Sequence, residues 1–366
     1  MAPRSARAVL VVNTGSSSVK VALCDPGGHR LWQQQRSWGQ PVADPDTADP
    51  QTQDLPALLE TWLAPLLAEA SPPPELVVHR LVHGGSRFIA PTPLTAEVLK
   101  ELAALVPLAP LHNGPALEAI AWLQGRLAPK GIQQWACFDT AFHASLSEAA
   151  STYAIPAAWR HQGLRRYGFH GLNHQHVAET VAARDPAVRR LISCHLGAGC
   201  SLCAIRIAPD GRPRSVDTTM GFTPLEGLVM ASRSGSVDPG LLLHLLRQGI
   251  SASELDETLN RHSGLLGLSE LSGDMRQLRL RAAEHHAGAQ LAIAVFRHRL
   301  LQGIGAMAAS LGGVEAIALT GGIGEHDAAL AAELEDALAW LPAVRWLRVP
   351  ADEEGLMVRL CVPAAT

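Results

Sequence analysis

Two stretches of this chain, Val9–Leu23 (VLVVNTGSSSVKVAL) and Leu191–Ile205 (LISCHLGAGCSLCAI), lie over one another without a gap at an offset of 182, half of the 366 residues. The overlay puts His195 on Asn13, Gly197 on Gly15, Cys200 on Ser18 and Ile205 on Leu23. Each stretch reads as a buried strand, a glycine turn and a returning strand, with Val19, Val21 and Leu23 on one face. In the first, the turn falls at Asn13-Thr14-Gly15-Ser16. A motif that recurs once per half points to a duplicated domain whose two turns face a shared cleft. Two unrelated hairpins fit the short match as well. Small hydroxyls, Gly15 and Lys20 at the first tip would let backbone N–H groups approach a phosphate, although a plain surface hairpin has the same composition.

With 47% hydrophobic residues, the chain can bury a large core and is expected to form two domains. A formal charge of −4 gives no reason to expect a nucleic acid or an anionic membrane as partner. The N-terminal MAPRSARAVLVVNTG lacks the core of a signal peptide, and no run approaches the roughly 18 apolar residues of a membrane span, so a cytoplasmic location is expected. Six cysteines (Cys24, Cys137, Cys194, Cys200, Cys203, Cys361) read as reduced, buried thiols. Cys200 and Cys203 form a C-x-x-C inside a strand, where residues three apart point to opposite faces.

Further along, LPALLETWLAPLLAEA predicts a helix over about 54–70, and a second is expected near 95–105. ELVVHRLVHGGSRF places Arg80 at the end of a strand opening into a loop, a position suited to a ligand contact or to a surface ion pair. In APLHNGPALEAIAWL, Asn113 reads as a helix cap. QWACFDTAFH ends a strand in Asp139, a carboxylate able to hold Mg²⁺ through water, orient a nucleophile or cap the next helix. RRYGFHGLNHQHVAE crowds His170, His174 and His176. Histidines four apart on a helix suit zinc, the seed of a rival reading as a zinc hydrolase. The glycines instead put His170 in a turn before the helix, leaving the others on its surface or at its cap. LSGDMR breaks a helical region at Gly273, Asp274 and Arg276. VEAIALTGGIGEHDAAL reads as a strand, a glycine turn and a helix start, a place for phosphate or ribose. None of the three glycine turns matches a Walker loop or a dinucleotide fingerprint.

Taken together, NTGSSSVK, HRLVHGG, APLHN, FDTAFH, YGFHG, HLGAG, DTTMGFTPLEGLVMASRSGSVDP, SGDMR, TGGIGE and DEE resemble, in order and context, the motifs of the acetate kinase family, from Val9 to about Glu354. The resemblance implies an α/β fold of two duplicated ribonuclease H-like lobes, as in actin-like ATPases, around a nucleotide cleft. The lobes would span 1–138 with 355–366, and 139–354. It also implies reversible transfer of the γ-phosphoryl group of ATP to acetate, giving acetyl phosphate and ADP, with Mg²⁺ (or Mn²⁺), and usually a cytoplasmic homodimer.

Carried over by resemblance, Asp139, His170 and Arg233 are catalytic, and Arg80 holds the carboxylate. Val82, Leu111, Phe169 and Pro224 form the acyl pocket. Lys20, the loop His195, Leu196, Gly197, Ala198 and Gly199, the run Asp274, Met275 and Arg276, and the loop Gly322, Ile323, Gly324, Glu325 and His326 bind nucleotide. Asn13 and Glu353 match the metal positions. Ala198 stands where the family usually has Asn, and His326 likewise replaces an Asn. The stretch between Glu325 and Pro350 is shorter than in relatives, and twelve residues follow Glu354, which predicts a truncated closing helix. Alternatives within the resemblance are a propionate or short-chain acyl kinase and a catalytically weakened nucleotide-binding relative.

Overall fold

The computed structural model describes residues 8–15, 18–38 and 54–365, so Ser16 of the expected turn lies outside the described residues. The chain divides into two units, residues 1–141 with 352–366 and residues 142–351.

In the first unit, the apolar run before Asn13 forms β1 (Ala8–Thr14), which pairs antiparallel with β2 (Ser18–Cys24), and β2 in turn with β3 (Arg30–Ser37). On the other side of β1, β4 (Pro74–Leu81) and then β6 (Gln133–Phe138) run parallel to it, with the short β5 (Thr92–Pro93) at the edge; the order is β3-β2-β1-β4-β6-β5. The alternation expected along β2 holds. Val19, Val21 and Leu23 join Leu10 and Val12 of β1 in a core closed by Leu55, Leu58, Leu59 and Leu63 and by Leu123 of the helix Pro110–Leu127. Each such fully buried aliphatic side chain is worth about 1.5–3 kcal/mol. The helix expected over 54–70 starts on its Asp54 cap, whose carboxylate accepts from Ala57 N at 2.9 Å, and passes through one π turn at Leu59–Leu63. The closing helix, Glu353–Ala365, is formed and buries Leu356, Met357, Val358 and Cys361.

The second unit repeats this plan. β7 (Arg190–Leu196), β8 (Cys200–Ile207) and β9 (Pro213–Thr218) form an antiparallel meander, and β10 (Ala316–Thr320) and β11 (Arg345–Arg348) lie parallel to β7. The order β9-β8-β7-β10-β11 matches β3-β2-β1-β4-β6 strand for strand. The helix Gly171–Arg184 packs Val177, Ala178 and Val181 on Leu191, Cys203 and Ile205. The helix Ala287–Leu311 comes close to β8 because Gly303 carries no Cβ; one there would lie 2.7 Å from Leu202 Cδ1.

Strand β7 sits at an offset of 182 from β1 end to end, but the gapless overlay fails in the pairing register. Thr14 faces Val19, enclosing four residues, whereas Leu196 faces Cys200 and encloses three. A one-residue slip reverses the faces of a strand. The β7 residue turned to the helix layer is therefore Leu191, at the place of Val9, while β1 uses Ala8, Leu10 and Val12.

The expected lobe boundaries also shift. Asp139 packs in the first unit because its N–H continues the ladder to Leu81 O at 3.0 Å, and residues 352–354 join it through ion pairs to Lys20, Arg30 and Arg80. All six cysteines are buried and free. Among the described residues, no helix is long and apolar enough to cross a membrane.

Candidate active site

In the first unit, the parallel strands deliver three polar groups to their carboxyl ends. Asn13 on β1 is the register partner of Arg80 on β4, and Asp139 directly follows β6. The Arg80 guanidinium donates to both Asp139 oxygens, Nε to Oδ1 at 2.9 Å and Nη2 to Oδ2 at 2.6 Å, the two-pronged geometry that suits arginine to carboxylates. Its Nη1 donates to Asn13 Oδ1 at 3.3 Å and lies 3.8 Å from Glu353 Oε2. Burial works against the Arg80 charge, but the Asp139, Glu353 and Glu354 carboxylates outweigh it and hold its pKa above the ordinary value.

Lys20, opposite Asn13 on β2, places its Nζ 2.7 Å from Glu354, a nearly fully buried carboxylate missed in the sequence despite its place in DEE. Asn113 corrects its expected capping role. It sits inside the helix Pro110–Leu127, where its side chain accepts from His83 N at 3.1 Å and donates to His83 O at 2.9 Å. That clamp ties the segment just after Val82, itself buried, to the helix carrying Leu111, whose side chain is exposed.

In the second unit, His170 adopts the left-handed conformation (φ 57°) ahead of the helix Gly171–Arg184, in the turn its glycines foretold. Its ring stacks on that of His195, centroids 4.3 Å apart and planes 20° from parallel. Asn173 Nδ2 donates to His195 Nδ1 at 2.8 Å, which fixes that ring. His174 corrects the surface reading. It is fully buried, with Nδ1 2.9 Å from Ser193 Oγ and Nε2 3.2 Å from Ser201 Oγ. With both ring nitrogens engaged, it is not available as a zinc ligand beside His170 and His176. Phe169 buries its ring, and its carbonyl accepts from His143 Nε2 at 3.0 Å; Pro224 is half-buried.

Arg233 stands beside Gly199, where an added Cβ would lie 3.9 Å from its Nη1 and 3.0 Å from His170 Nε2. Burial pushes the Arg233 pKa down, and among the described residues no carboxylate pairs with it. A desolvated cation without a counter-ion is a natural receptor for an anionic ligand.

A cavity of about 690 Å³ in this unit is lined by eight of the residues expected at the nucleotide: Gly197, Ala198, Asp274, Met275, Arg276, Gly322, Ile323 and His326. Asp274 caps its helix by accepting from Arg276 N at 2.8 Å, and the Arg276 guanidinium at 2.6 Å keeps that carboxyl below its usual range. Arg279, one turn on, also lines the cavity and pairs with Asp327 at 3.1 Å and Glu333 at 2.7 Å; its i+3 spacing from Arg276 was the signal in the sequence. His195, Leu196, Gly199, Gly324 and Glu325 do not line it. Leu196 is buried, and Glu325 Oε1 is spent on Gly321 N and Ala351 N, both at 3.0 Å, so this carboxylate braces the loop. The glycines after β10 form the first turn of a helix, Gly321–His326, rather than a turn preceding one.

Two units sharing the order of five strands, each with polar loops at the carboxyl ends of its parallel strands, place the molecule in the class of actin-like ATPase folds. The family model of the acetokinase family matches residues 8–346, so this chain belongs to that family and is a kinase. An acetate kinase from Synechococcus sp. (strain JA-2-3B'a(2-13)) is 47% identical over 349 residues, 87% of this chain and 84% of that protein. Among solved structures, the acetate kinase of Porphyromonas gingivalis (32% identity, TM-score 0.83) and a propionate kinase from Francisella tularensis (30%, TM-score 0.85) each align with 96% of this chain and 98% of their own.

Proposed function

We propose that this protein is an acetate kinase that transfers the γ-phosphoryl group of ATP reversibly to acetate, giving acetyl phosphate and ADP. The observation that carries the reading is Arg233, a half-buried guanidinium without an acidic partner among the described residues, held beside the Gly197–Gly199 loop. The carboxylate acceptor is already ionised at neutral pH, so the obstacle is charge rather than proton removal. Two unit anions about 4 Å apart repel by roughly 4 kcal/mol at an effective dielectric near 20. In this reading Arg80 holds the acceptor carboxylate, and Asp139 fixes the guanidinium that does so. Arg233 and His170 stabilise the charge on the phosphoryl group in transit. The cavity lined by Asp274, Met275 and Ile323 takes the nucleotide.

Asn13 and Glu353 offer an amide oxygen and a carboxylate oxygen to one Arg80 Nη1, at 3.3 and 3.8 Å. These hard donors suit Mg²⁺, with Mn²⁺ as a substitute, and are the residues that would hold it. The ion would supply neutralisation of phosphate oxygens. A cytoplasmic homodimer belongs to the same reading. The helix Pro239–Arg247 buries none of its residues and exposes Leu241, Leu243 and Leu246, a face suited to a second copy of the chain. Propionate is the second reading, favoured by the fold match to a propionate kinase, because a methylene in an apolar pocket separates the two acids by only about 1–3 kcal/mol.

Purified protein incubated with ATP, Mg²⁺, acetate and hydroxylamine is expected to accumulate acetohydroxamate. Absence of hydroxamate from every short-chain acid, with ATP still bound, would refute the proposal and leave the weakened nucleotide-binding relative.

A further inference from the structure

Arg166 stands four residues before His170 and does not line the nucleotide cavity. Its Nη1 donates to three successive carbonyls, those of Thr218, Thr219 and Met220, at 3.1, 3.1 and 3.0 Å, and its Nη2 donates to Glu226 Oε1 at 2.8 Å. The other Glu226 oxygen accepts the Tyr153 hydroxyl, and that hydroxyl oxygen accepts from Phe222 N at 2.8 Å. Burial, with the Glu226 carboxylate, pushes the Tyr153 pKa up, so the phenol stays protonated and donates. The loop 218–226, which carries Pro224, is thus wound around one guanidinium. Its carbonyl at Gly221 also accepts from Tyr167 N at 3.0 Å and Gly168 N at 3.2 Å, in the irregular segment leading to Phe169 and His170. The approach is so close that a Cβ at Gly221 would fall 1.6 Å from Glu226 Oε2 and 2.1 Å from Tyr153 Oη.

We propose that Arg166, Glu226 and Tyr153 are positioning residues for acyl-group selectivity: their network fixes the Pro224 loop against the Phe169–His170 turn and so sets how much carbon the acceptor can carry. The inference rests on the reading of Phe169 and Pro224 as acyl-pocket walls. The two N–H bonds of one Nη1, shared among three successive carbonyls, tie that stretch of loop to a single group. An apolar wall discriminates by shape alone, so a shift of a few tenths of an ångström changes which acid is preferred. The nucleotide cavity is lined by other segments and contains none of the three residues.

The test measures hydroxamate formation with acetate, propionate and butyrate for the wild type, Tyr153→Phe and Glu226→Gln. Tyr153→Phe deletes both the donor to Glu226 and the acceptor for Phe222 N, while Glu226→Gln keeps the size and one accepting oxygen for Arg166 Nη2, removes only the acceptor for the Tyr153 hydroxyl, and so guards against a folding defect. The two bonds lost in Tyr153→Phe predict a rise in the acetate KM of about 3–10-fold, the single bond lost in Glu226→Gln a smaller one, and both leave the ATP KM within about twofold. The kcat/KM ratio of propionate to acetate is expected to rise in the same order. Unchanged acid ratios in both variants, or ATP and acid parameters that decline together with the melting temperature, would overturn the inference. A wild type that makes no hydroxamate from any acid would instead remove the reading beneath it.

Discussion

Lowering the pH from 7.5 to 5.5 is expected to destabilise both units through histidines buried in the neutral form. His79, with Nε2 2.6 Å from Gln134 Oε1, is fully enclosed, and burial pushes its pKa down to about 4 from an ordinary 6.5. His83, whose Nδ1 accepts from Gly85 N at 2.9 Å, is held at about 4 for the same reason. In the second unit His143 also lies at about 4, between Ser215 Oγ at 2.9 Å and Phe169 O at 3.0 Å, and His174 is displaced in the same direction. Because the folded pKa values lie below the unfolded ones, the unfolded chain binds more protons between about pH 4 and 6.5. The stability these groups contribute is therefore complete above the unfolded pKa and is lost as pH falls toward the folded one.

A shift from 6.5 to 4 costs about 1.4 kcal/mol at pH 5.5 and about 0.1 kcal/mol at pH 7.5. The first unit, with two such groups, should lose about 2.6 kcal/mol over this interval, and the second about 1.3 kcal/mol or more. Most carboxylates titrate near pH 4, below the window, so the effect belongs to histidine. Urea titrations followed by tryptophan fluorescence and circular dichroism at constant ionic strength measure it. Midpoints at pH 5.5 equal to or above those at pH 7.5 would refute the assignment of these rings as neutral and buried.

Gly321→Ala should destabilise the second unit by about 2–4 kcal/mol, combining left-handed strain with overpacking. Gly321 has φ 78°, and its Cβ would lie 2.8 Å from Leu196 O in a rigid strand. A urea midpoint within error of wild type would contradict that geometry. Arg233→Ala should lower kcat by about 10²–10⁴-fold while leaving the melting temperature equal or higher, since it removes a desolvated charge with no carboxylate partner. A large loss of stability would mean that Arg233 is a structural ion-pair partner after all.

Much of the fold was legible because its signals are local. The run before Asn13, the alternation of Val19, Val21 and Leu23, and the same grammar at Leu191–Ile205 announce paired strands, and both strand pairs formed, with the expected face on β2. What local pattern could not announce was tertiary. Nothing around Asn113 reveals that its amide clamps His83, thirty residues earlier, or that His174 faces two serines from different strands. Glu325 was expected at the nucleotide through the resemblance of the TGGIGE loop, whereas its bonds to the N–H groups of Gly321 and Ala351, which make its side chain a brace of that loop, are tertiary and no local pattern states them. Likewise Arg80 and Asp139 each showed as a charge at a strand end, but their two-pronged pairing follows from β4 and β6 being neighbours, which no spacing along the chain states.

The departure at Ala198 bears on whether the second unit is weakened. If the side chain at this position held the loop, its loss would loosen everything that depends on the loop, including Arg233. The support is instead main-chain: Ala231 N donates to Ala198 O at 3.1 Å, and Gly197 N to Gly199 O at 3.0 Å. Ala231 lies two residues before Arg233, whose own carbonyl accepts from Met230 N at 3.1 Å, while Ser263 N and Leu265 N grip Ser232 O and Met230 O at 2.9 and 2.8 Å. None of these bonds uses the side chain of residue 198. Ala198 is exposed and lines the cavity, so an amide in its place would face what enters there, and the methyl forgoes about one hydrogen bond to the nucleotide, about 0.5–1.5 kcal/mol. The machinery that aims Arg233 is untouched, which favours an enzyme with a raised nucleotide KM over one that has lost phosphoryl transfer.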